Sequence, residues 1–199
     1  LPCGPAELVR RLSEIDVLRD FDPLQGNYDK ITIGSYATEL LRSVTVEEDP
    51  EPGVFDLAEH FYERLAEADD RLAVLEVTLR HFELQLLRRL GLAPSVEACI
   101  RCSTPVESMA KVYGLRSGEG ILCPACVRTG EAVGVLYPAT LQVVDYFARP
   151  EGSVPDGFRH EETYRQARRL VDAAVEHVLD QPLKSRTMLD TVLNQPDSP

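Results

Sequence analysis

The sequence contains no apolar run that approaches the roughly 18 to 20 residues of a membrane-spanning helix. Residues 1–11 lack the apolar core segment of a secretory signal peptide, so we expect a protein of a reducing, cytoplasmic compartment. The sequence also contains no Gly-x-Ser-x-Gly element, no phosphate-binding glycine-rich loop and no pair of histidines at metal-ligand spacing. These absences argue against a membrane protein and predict that the chain is not an enzyme.

Positive charge is scarce, since 21 basic residues stand against 33 acidic residues and the net charge is −12. A protein that binds nucleic acid over its whole surface is normally basic. Three explanations stay open: the partner is not nucleic acid, the contact is a local basic patch, or the basic part lies outside this sequence. The acidic residues concentrate near positions 47–51 and 67–70, which is typical of solvated loops.

The composition is that of a globular protein with one large domain or two small ones, with 199 residues, 44% hydrophobic and 27% charged. Apolar residues recur every three or four positions along most of the chain, which predicts amphipathic helices. The most regular stripe predicts a central helix at about 70–90, ended by Gly91 and Pro94. Further helices are predicted at 28–45, 52–68, 138–149, 161–180 and 183–193.

Two short segments predict β-structure. The alternating residues 14–18 predict one strand, which we interpret as the end of a β-domain whose earlier strands are absent. Residues 110–122 predict a β-hairpin with its turn at 117–120.

Four of the five cysteines form two Cys-x-x-Cys pairs separated by 20 residues: Cys99, Cys102, Cys123 and Cys126. Each pair lets two sulfurs converge from one tight turn, and a hairpin of that length brings the two turns together. Four thiolates complete a tetrahedral shell with no open position, so the pattern predicts one structural zinc ion. A rubredoxin-like iron site and a redox-active or structural disulfide stay open as alternatives.

The basic residues cluster in three places and could form a local patch for phosphates or for an acidic peptide. The candidate binding residues are Arg88, Arg89, Arg165, Arg169, Lys184 and Arg186. Solvated helix faces are the alternative explanation. His60 and His81 stand beside apolar helix positions and are interpreted as packing residues.

The order of several short segments resembles the bacterial RecO family of DNA repair and recombination proteins over about residues 12–193. The matching segments are Tyr36-Ala37-Thr38-Glu39-Leu40, Pro52-Gly53-Val54-Phe55-Asp56-Leu57, Phe82-Glu83-Leu84-Gln85-Leu86-Leu87, Leu90-Gly91-Leu92-Ala93-Pro94, Gly118-Glu119-Gly120-Ile121-Leu122-Cys123 and Leu183-Lys184-Ser185-Arg186 with Leu189. One difference is Ser103, because the family usually carries glycine directly after the first cysteine pair.

The resemblance implies an N-terminal oligonucleotide-binding (OB-fold) β-barrel, of which only the last strand or so, about residues 12–20, would be present here. The predicted fold class is therefore mainly α: a helical bundle with an inserted four-cysteine zinc ribbon, preceded by a barrel remnant. The predicted domains are a barrel remnant at 1–22, a helical domain at 23–98 and 131–193, a zinc ribbon at 99–130 and a disordered tail at 194–199.

The resemblance also implies a function in recombinational repair. Members of the family bind single- and double-stranded DNA, anneal complementary strands, join RecR, and act on DNA coated by the single-stranded DNA-binding protein (SSB) so that RecA can load. An acidic, apolar SSB tail would suit an apolar groove rimmed by arginine or lysine. A zinc-stabilised interaction adaptor without DNA contact is the alternative function.

Overall fold

The computed structural model describes residues 14, 16–17, 19–46, 51–149 and 155–194. Its helices are α1 (Asp22–Gln25), α2 (Tyr28–Val44), α3 (Pro52–Glu67), α4 (Leu72–Arg89), α5 (Pro138–Ala148), α6 (Glu161–His177) and α7 (Arg186–Leu193). Its strands are β1 (Ser95–Cys99), β2 (Val112–Leu115), β3 (Gly120–Leu122) and β4 (Ala132–Leu136), and short 3-10 turns occur at Val106–Ser108 and Asp156–Arg159. The expected class, mainly α with a small sheet around clustered cysteines, is confirmed.

Helix α4 ends as its sequence predicts. The Leu92 amide donates to the Leu87 carbonyl at 2.7 Å, and Gly91 adopts φ 72°. Glycine takes this left-handed conformation without the Cβ clash of other residues, so it closes the last turn of the helix. The other predicted helices agree with α2, α3, α5, α6 and α7 to within three residues at each end. Pro52 and Pro138 each stand in a first helical turn. A backbone N–H at this position has no carbonyl acceptor within the helix, so proline, which lacks that hydrogen, loses no hydrogen bond there.

The strands form one sheet with the order β1-β3-β2-β4 in the part of the chain that the structure describes. The predicted hairpin is confirmed as β2 and β3, with Tyr113 opposite Leu122 in an antiparallel pair. The sequence patterns predict neither outer strand, because β1 and β4 obtain their partners from distant segments. The sheet therefore extends from Ser95 to Leu136, beyond the predicted ribbon at 99–130.

The sheet packs closely on the helices. Ile121 and Leu136 share one buried core with Leu170 of α6 and with α5. At the hairpin turn, a Cβ on Gly118 would lie 2.3 Å from the backbone oxygen of Ala173. Only glycine allows the turn to approach the α6 backbone this closely, so the sheet and the bundle are one packed unit at this contact.

A second core joins α2, α3, α4 and α7. It is formed around fully or almost fully buried side chains that include Ile33, Phe61, Leu79 and Leu189. Helix α4 contributes to both cores, which confirms its predicted central position. Among the described residues, every helix is too short or too polar to cross a bilayer.

The N-terminal predictions concern residues that the structure describes only in part. Glu14, Asp16 and Val17 are not in a strand, and the other residues of the predicted strand at 14–18 lie outside the described ranges. Most of the predicted barrel remnant at 1–22 and residues 195–199 of the predicted tail also lie outside them. The division into domains stays a prediction.

Candidate metal centre and buried charge network

The four predicted metal ligands lie together at the end of the sheet. Their sulfur atoms are all within 4.8 Å of one another, and the Cys102 and Cys123 Sγ atoms are 3.8 Å apart. A tetrahedral zinc ion with Zn–S bonds of about 2.3 Å places its sulfurs about 3.8 Å apart. Cys99 and Cys123 are buried, whereas Cys102 is exposed. The donor set and its spacing therefore fit a metal ion coordinated by four thiolates.

Both cysteine pairs form tight turns whose amides surround the sulfurs. The Ser103 amide donates to the Cys99 carbonyl at 2.8 Å, and the Cys126 amide donates to the Cys123 carbonyl at 3.0 Å. Burial disfavours the Cys99 thiolate, but hydrogen bonds from the backbone amides of Cys123, Arg101 and Cys102 lower the pKa of Cys99 to about 6. The first turn is therefore arranged to stabilise a thiolate, which is the form that binds a metal.

The Cys126 side chain, in contrast to that of Cys99, is held in its protonated thiol form when no metal is bound. Its hydrogen bond with Cys123, together with burial, raises the pKa of Cys126 to about 12. A metal ion binds cysteine as the thiolate, so binding at this site would release a proton from Cys126 at neutral pH.

Ser103 adopts a left-handed backbone conformation, which glycine takes without strain. Its φ of 59° lies in the left-handed region, which costs about 1–2 kcal/mol for a residue that carries a Cβ. The turn after Cys102 is therefore formed despite the substitution, and the serine carries the strain.

Replacing Ser103 with glycine is expected to raise the free energy of unfolding by about 0.5–1 kcal/mol, because the strain is relieved and part of the gain is lost to chain entropy. Urea titration of the metal-loaded protein measures the change. Ser108→Gly is the matched control, since Ser108 has no positive φ and should lose stability on the same substitution. Equal effects of the two variants would contradict the strain at Ser103.

Arg101 joins the two cysteine turns. Its guanidinium donates to the Cys126 carbonyl and to Glu131 Oε1, the latter at 3.0 Å, and Glu131 Oε2 accepts from the Arg128 amide at 2.9 Å. The guanidinium of Arg101 therefore makes its contacts within the cysteine segment, where it holds the turn that begins at Cys123 against the turn that begins at Cys99.

The six candidate binding residues lie in different surroundings. Arg88, Arg89, Arg169 and Lys184 are exposed and have no ion-pair partner among the described residues. Arg165 is also exposed and is paired with Glu162. Arg88, Arg165 and Arg186 line three different clefts, and the binding role of the six residues stays a prediction.

Arg186 has a largely structural environment. Its Nη2 atom lies 3.1 Å from Asp172 Oδ2, and its Nε atom lies 3.0 Å from Asp190 Oδ1. The side chain is 22% exposed. Burial disfavours the charged guanidinium, but Asp172 outweighs this effect and raises the pKa of Arg186 above its usual value. Arg186 therefore holds helix α7 against α6.

The two histidines differ. His81 is half-buried, and its Nδ1 atom lies 3.0 Å from the Phe147 carbonyl oxygen, which agrees with a packing residue. The packing interpretation is wrong for His60, whose side chain is 61% exposed with Nδ1 3.8 Å from Glu63. His60 stands on the outer face of α3, next to Phe61 on the buried face.

The largest unpredicted feature is a buried charge network centred on Arg80. The Arg80 side chain is completely buried, and its Nη1 atom donates to Glu83 Oε2 at 2.7 Å and to Asp172 Oδ1 at 2.8 Å. Tyr36 donates its hydroxyl to Glu83 Oε1, also at 2.7 Å. With Arg186 on the far side of Asp172, the network connects α2, α4, α6 and α7.

Burial has opposite consequences for the two carboxyl groups that contact Arg80. It raises the pKa of Glu83 even though Arg80 opposes the shift. For Asp172, burial also favours the neutral form, but Arg80 and Arg186 outweigh it and lower the pKa. The negative charge of Asp172 thus balances the positive charges of both Arg80 and Arg186.

A second contact ties α2 to the start of α7. The Glu39 carboxylate accepts from the Ser185 hydroxyl, from the Ser185 amide at 2.8 Å and from the Lys184 amide at 3.0 Å. These hydrogen bonds, first that of the Ser185 hydroxyl, lower the pKa of Glu39. The contact satisfies amides at a helix start that would otherwise need water.

Replacing Glu39 with glutamine is expected to lower the free energy of unfolding by about 1 kcal/mol at pH 7, a value reduced for solvent screening. Because the folded-state pKa is depressed, the contribution is present above about pH 4.5 and is lost as the pH falls through the folded-state value. Urea titrations at a series of pH values measure the deficit. Glu67→Gln, at an exposed position of α3, is the control. A deficit that grows with acidity would contradict this role of Glu39.

Three of the segments that resemble the RecO family meet in these contacts. The segment at 36–40 supplies Tyr36 and Glu39, the segment at 82–87 supplies Glu83, and the segment at 183–186 supplies the partners of Glu39. The three short segments are therefore joined by contacts in the folded protein, which their spacing in the sequence does not show.

Comparisons with known proteins agree with this convergence. The family model described as "Recombination protein O C terminal" matches residues 25–187. A DNA repair protein RecO from Anaeromyxobacter sp. (strain K) is 31% identical over 185 residues, covering 91% of this chain and 70% of that relative. The protein of the same name from Laribacter hongkongensis is 32% identical over 200 residues, covering 96% and 75%.

A more distant relative has a similar extent. The DNA repair protein RecO of Syntrophus aciditrophicus is 25% identical over 186 residues, which cover 91% of this chain and 70% of that relative. The part of the chain that the family model matches, residues 25–187, contains the four clustered cysteines and the segments around Tyr36, Glu83 and Ser185. The chain belongs to the recombination protein O (RecO) family.

Proposed function

We propose that this chain acts in DNA repair and homologous recombination as a mediator rather than an enzyme. In this proposal the protein binds DNA, anneals complementary strands and acts with RecR and SSB to promote RecA loading. The match of the RecO family model over residues 25–187 is the observation that carries the proposal. The meeting of three family-like segments in one buried network supports it, because it ties the resemblance to a shared fold.

The metal in this proposal is one structural zinc ion, held by Cys99, Cys102, Cys123 and Cys126. Zinc would supply a tetrahedral cross-link between the two cysteine turns, and four thiolates leave no position for a substrate. The role of Arg101 and of the turn amides is to hold the sulfurs in place and to stabilise their charge.

We place the SSB-tail contact at the cleft between α2, α6 and the start of α7. The cleft has a volume of about 410 Å³ and apolar side chains that include Val175, Leu179 and Leu183. Arg186 lies in its wall, and the exposed Lys184 follows Leu183 directly. An acidic tail with apolar residues would bury its apolar side chains in the cleft and place a carboxylate beside Lys184, because Arg186 is already paired with Asp172 and Asp190.

Lys184→Glu tests this contact without disturbing the buried network, because the Lys184 side chain is exposed. The affinity for a fluorescent peptide with the sequence of the SSB tail, measured by anisotropy, should fall about tenfold in the variant. Arg42→Glu, at an exposed position near the end of α2, should leave the affinity unchanged. Equal losses in the two variants would contradict this location.

Annealing of complementary oligonucleotides coated with SSB tests the function as a whole. The full-length protein should anneal them and bind the SSB tail, whereas residues 1–199 alone should bind DNA only weakly and lose that binding with added salt. Absence of both activities in the full-length protein would refute the repair function. Tail binding without any DNA contact would favour an interaction adaptor, which the net charge of −12 and the separated arginines also favour.

A further inference from the structure

An apolar groove runs between the sheet and helix α5 and shares no lining residue with the proposed SSB-tail cleft. Strand β1 and the 3-10 turn at Val106–Ser108 form one wall, and α5 forms the other. Its volume of about 610 Å³ is within the range of about 300–1,000 Å³ that is common for binding clefts. We call it the acidic groove, because carboxylates stand along its rim.

The floor of the acidic groove consists of apolar side chains that are incompletely covered. Val96, Val106, Met109 and Tyr146 are only partly buried, although all four pack against the core beneath them. These side chains leave apolar surface inside a concave site, where a partner could cover it. Methionine also adapts readily to different apolar partners.

The rim of the acidic groove is negative. Among the described residues that line it, the carboxylates are those of Glu97, Glu107 and Asp145, and the guanidinium is that of Arg149, which is paired with Asp145. Glu97 and Glu107 are exposed and form no ion pair with any described residue. The groove therefore has apolar walls and two uncompensated negative charges, in a chain whose net charge is already −12.

This charge determines what can bind. A DNA backbone would be repelled by the two carboxylates and by the negative chain around them. A peptide with apolar residues on one face and lysine or arginine on the other would bury the first in the groove and place the second beside Glu97 and Glu107. We propose that the acidic groove is a docking site for a basic amphipathic segment of a partner protein.

None of the four clustered cysteines and none of the six candidate basic residues lines the groove, although the neighbouring cleft that contains Arg88 shares Val96 and Glu97 with it. The docking site is therefore distinct from the proposed SSB-tail cleft, whereas its β1 wall ends at the proposed metal ligand Cys99. If the docking experiment fails, the proposed repair function is unaffected. If the repair function is refuted, the docking site can still be tested.

The experiment uses a fluorescein-labelled amphipathic peptide of leucine and lysine, about 18 residues long, which makes five helical turns. Its anisotropy is followed as residues 1–199 are added at low salt. Glu97→Gln/Glu107→Gln should weaken the binding about fivefold, and Val106→Ser, which keeps both charges, should weaken it by a similar factor. A peptide with glutamate in place of lysine should not bind.

The control for general attraction to an acidic protein is Asp56→Asn/Glu67→Gln, which removes two exposed charges from α3. It should leave the affinity unchanged. The proposal is overturned if this control weakens the binding as much as the groove variants do. It is also overturned if the wild-type protein fails to bind the lysine peptide, or binds the glutamate peptide equally well.

Discussion

Cys99→Ser is expected to abolish stoichiometric zinc binding and to open the strands around the metal centre. Cys99 is 1% exposed and packs with Cys123, Leu115 and Leu122, so its thiolate is both a proposed ligand and part of the small core beside the metal. Structural zinc in small cysteine sites contributes an apparent binding free energy of about 10–16 kcal/mol at pH 7. Loss of one ligand removes most of this contribution and leaves three unneutralised sulfurs close together.

Two measurements test this expectation. Elemental analysis of freshly purified protein should give one zinc per chain for the wild type and none for the variant. Amide hydrogen exchange should show loss of protection in β1–β3, with protection retained in α2–α4, whose core is separate from that of the cysteines. Cys3→Ser removes the fifth cysteine and should keep its zinc.

The same experiment separates the metals. Iron in a site of four thiolates absorbs visible light, whereas zinc, with a filled d shell, does not. A coloured protein with one iron per chain would overturn the zinc assignment. Full zinc occupancy in Cys99→Ser would overturn the assignment of Cys99 as a ligand.

The sequence was sufficient for features that depend on nearby residues. The apolar stripe of α4 and the stop at Gly91 are local signals, and each was found where the periodicity predicts it. The cysteine cluster was also predictable, because each pair needs only one turn and the hairpin between the pairs has a recognisable length. Strands β1 and β4 were not, because their hydrogen bonds come from segments that the chain reaches only after folding.

The buried charge network shows where sequence reasoning fails. Arg80 and Asp172 are 92 residues apart, and a charged residue on a helix normally faces solvent. The one available signal was the density of apolar residues around Arg80, since α4 is apolar over much of its circumference. An arginine within such a helix has to be buried, and a buried arginine needs carboxylate partners.

The surroundings of Arg186 were not predictable for the same reason. Its position in the segment at 183–186 suggested a surface contact, but the fold turns it towards Asp172. The family-like sequence of this segment is explained by the anchoring of α7, through Glu39 on one side and Asp172 on the other. The exposed Lys184 is the residue of this segment that remains available to a partner.

Arg80→Met is expected to lower the free energy of unfolding by about 3–5 kcal/mol at pH 7, which is the usual cost of removing one partner from a buried charge pair. Methionine fills much of the space, so the loss arises from Glu83 and Asp172, which keep their burial and lose their main cation. Arg165→Met is the matched control on an exposed i, i+3 pair and should change stability little. Urea titration measures both.

The pH dependence identifies the cause of the loss. Burial already raises the pKa of Glu83, and without Arg80 that pKa should rise further. A raised folded-state pKa means that the folded state binds more protons than the unfolded state, so stability falls as the pH rises through that range. The deficit of Arg80→Met should therefore be larger at pH 7 than near pH 5, and Arg80→Met/Glu83→Gln should recover part of it at pH 7. A deficit that does not depend on pH, with no recovery in the double variant, would show that Arg80 acts through packing and not through its charge.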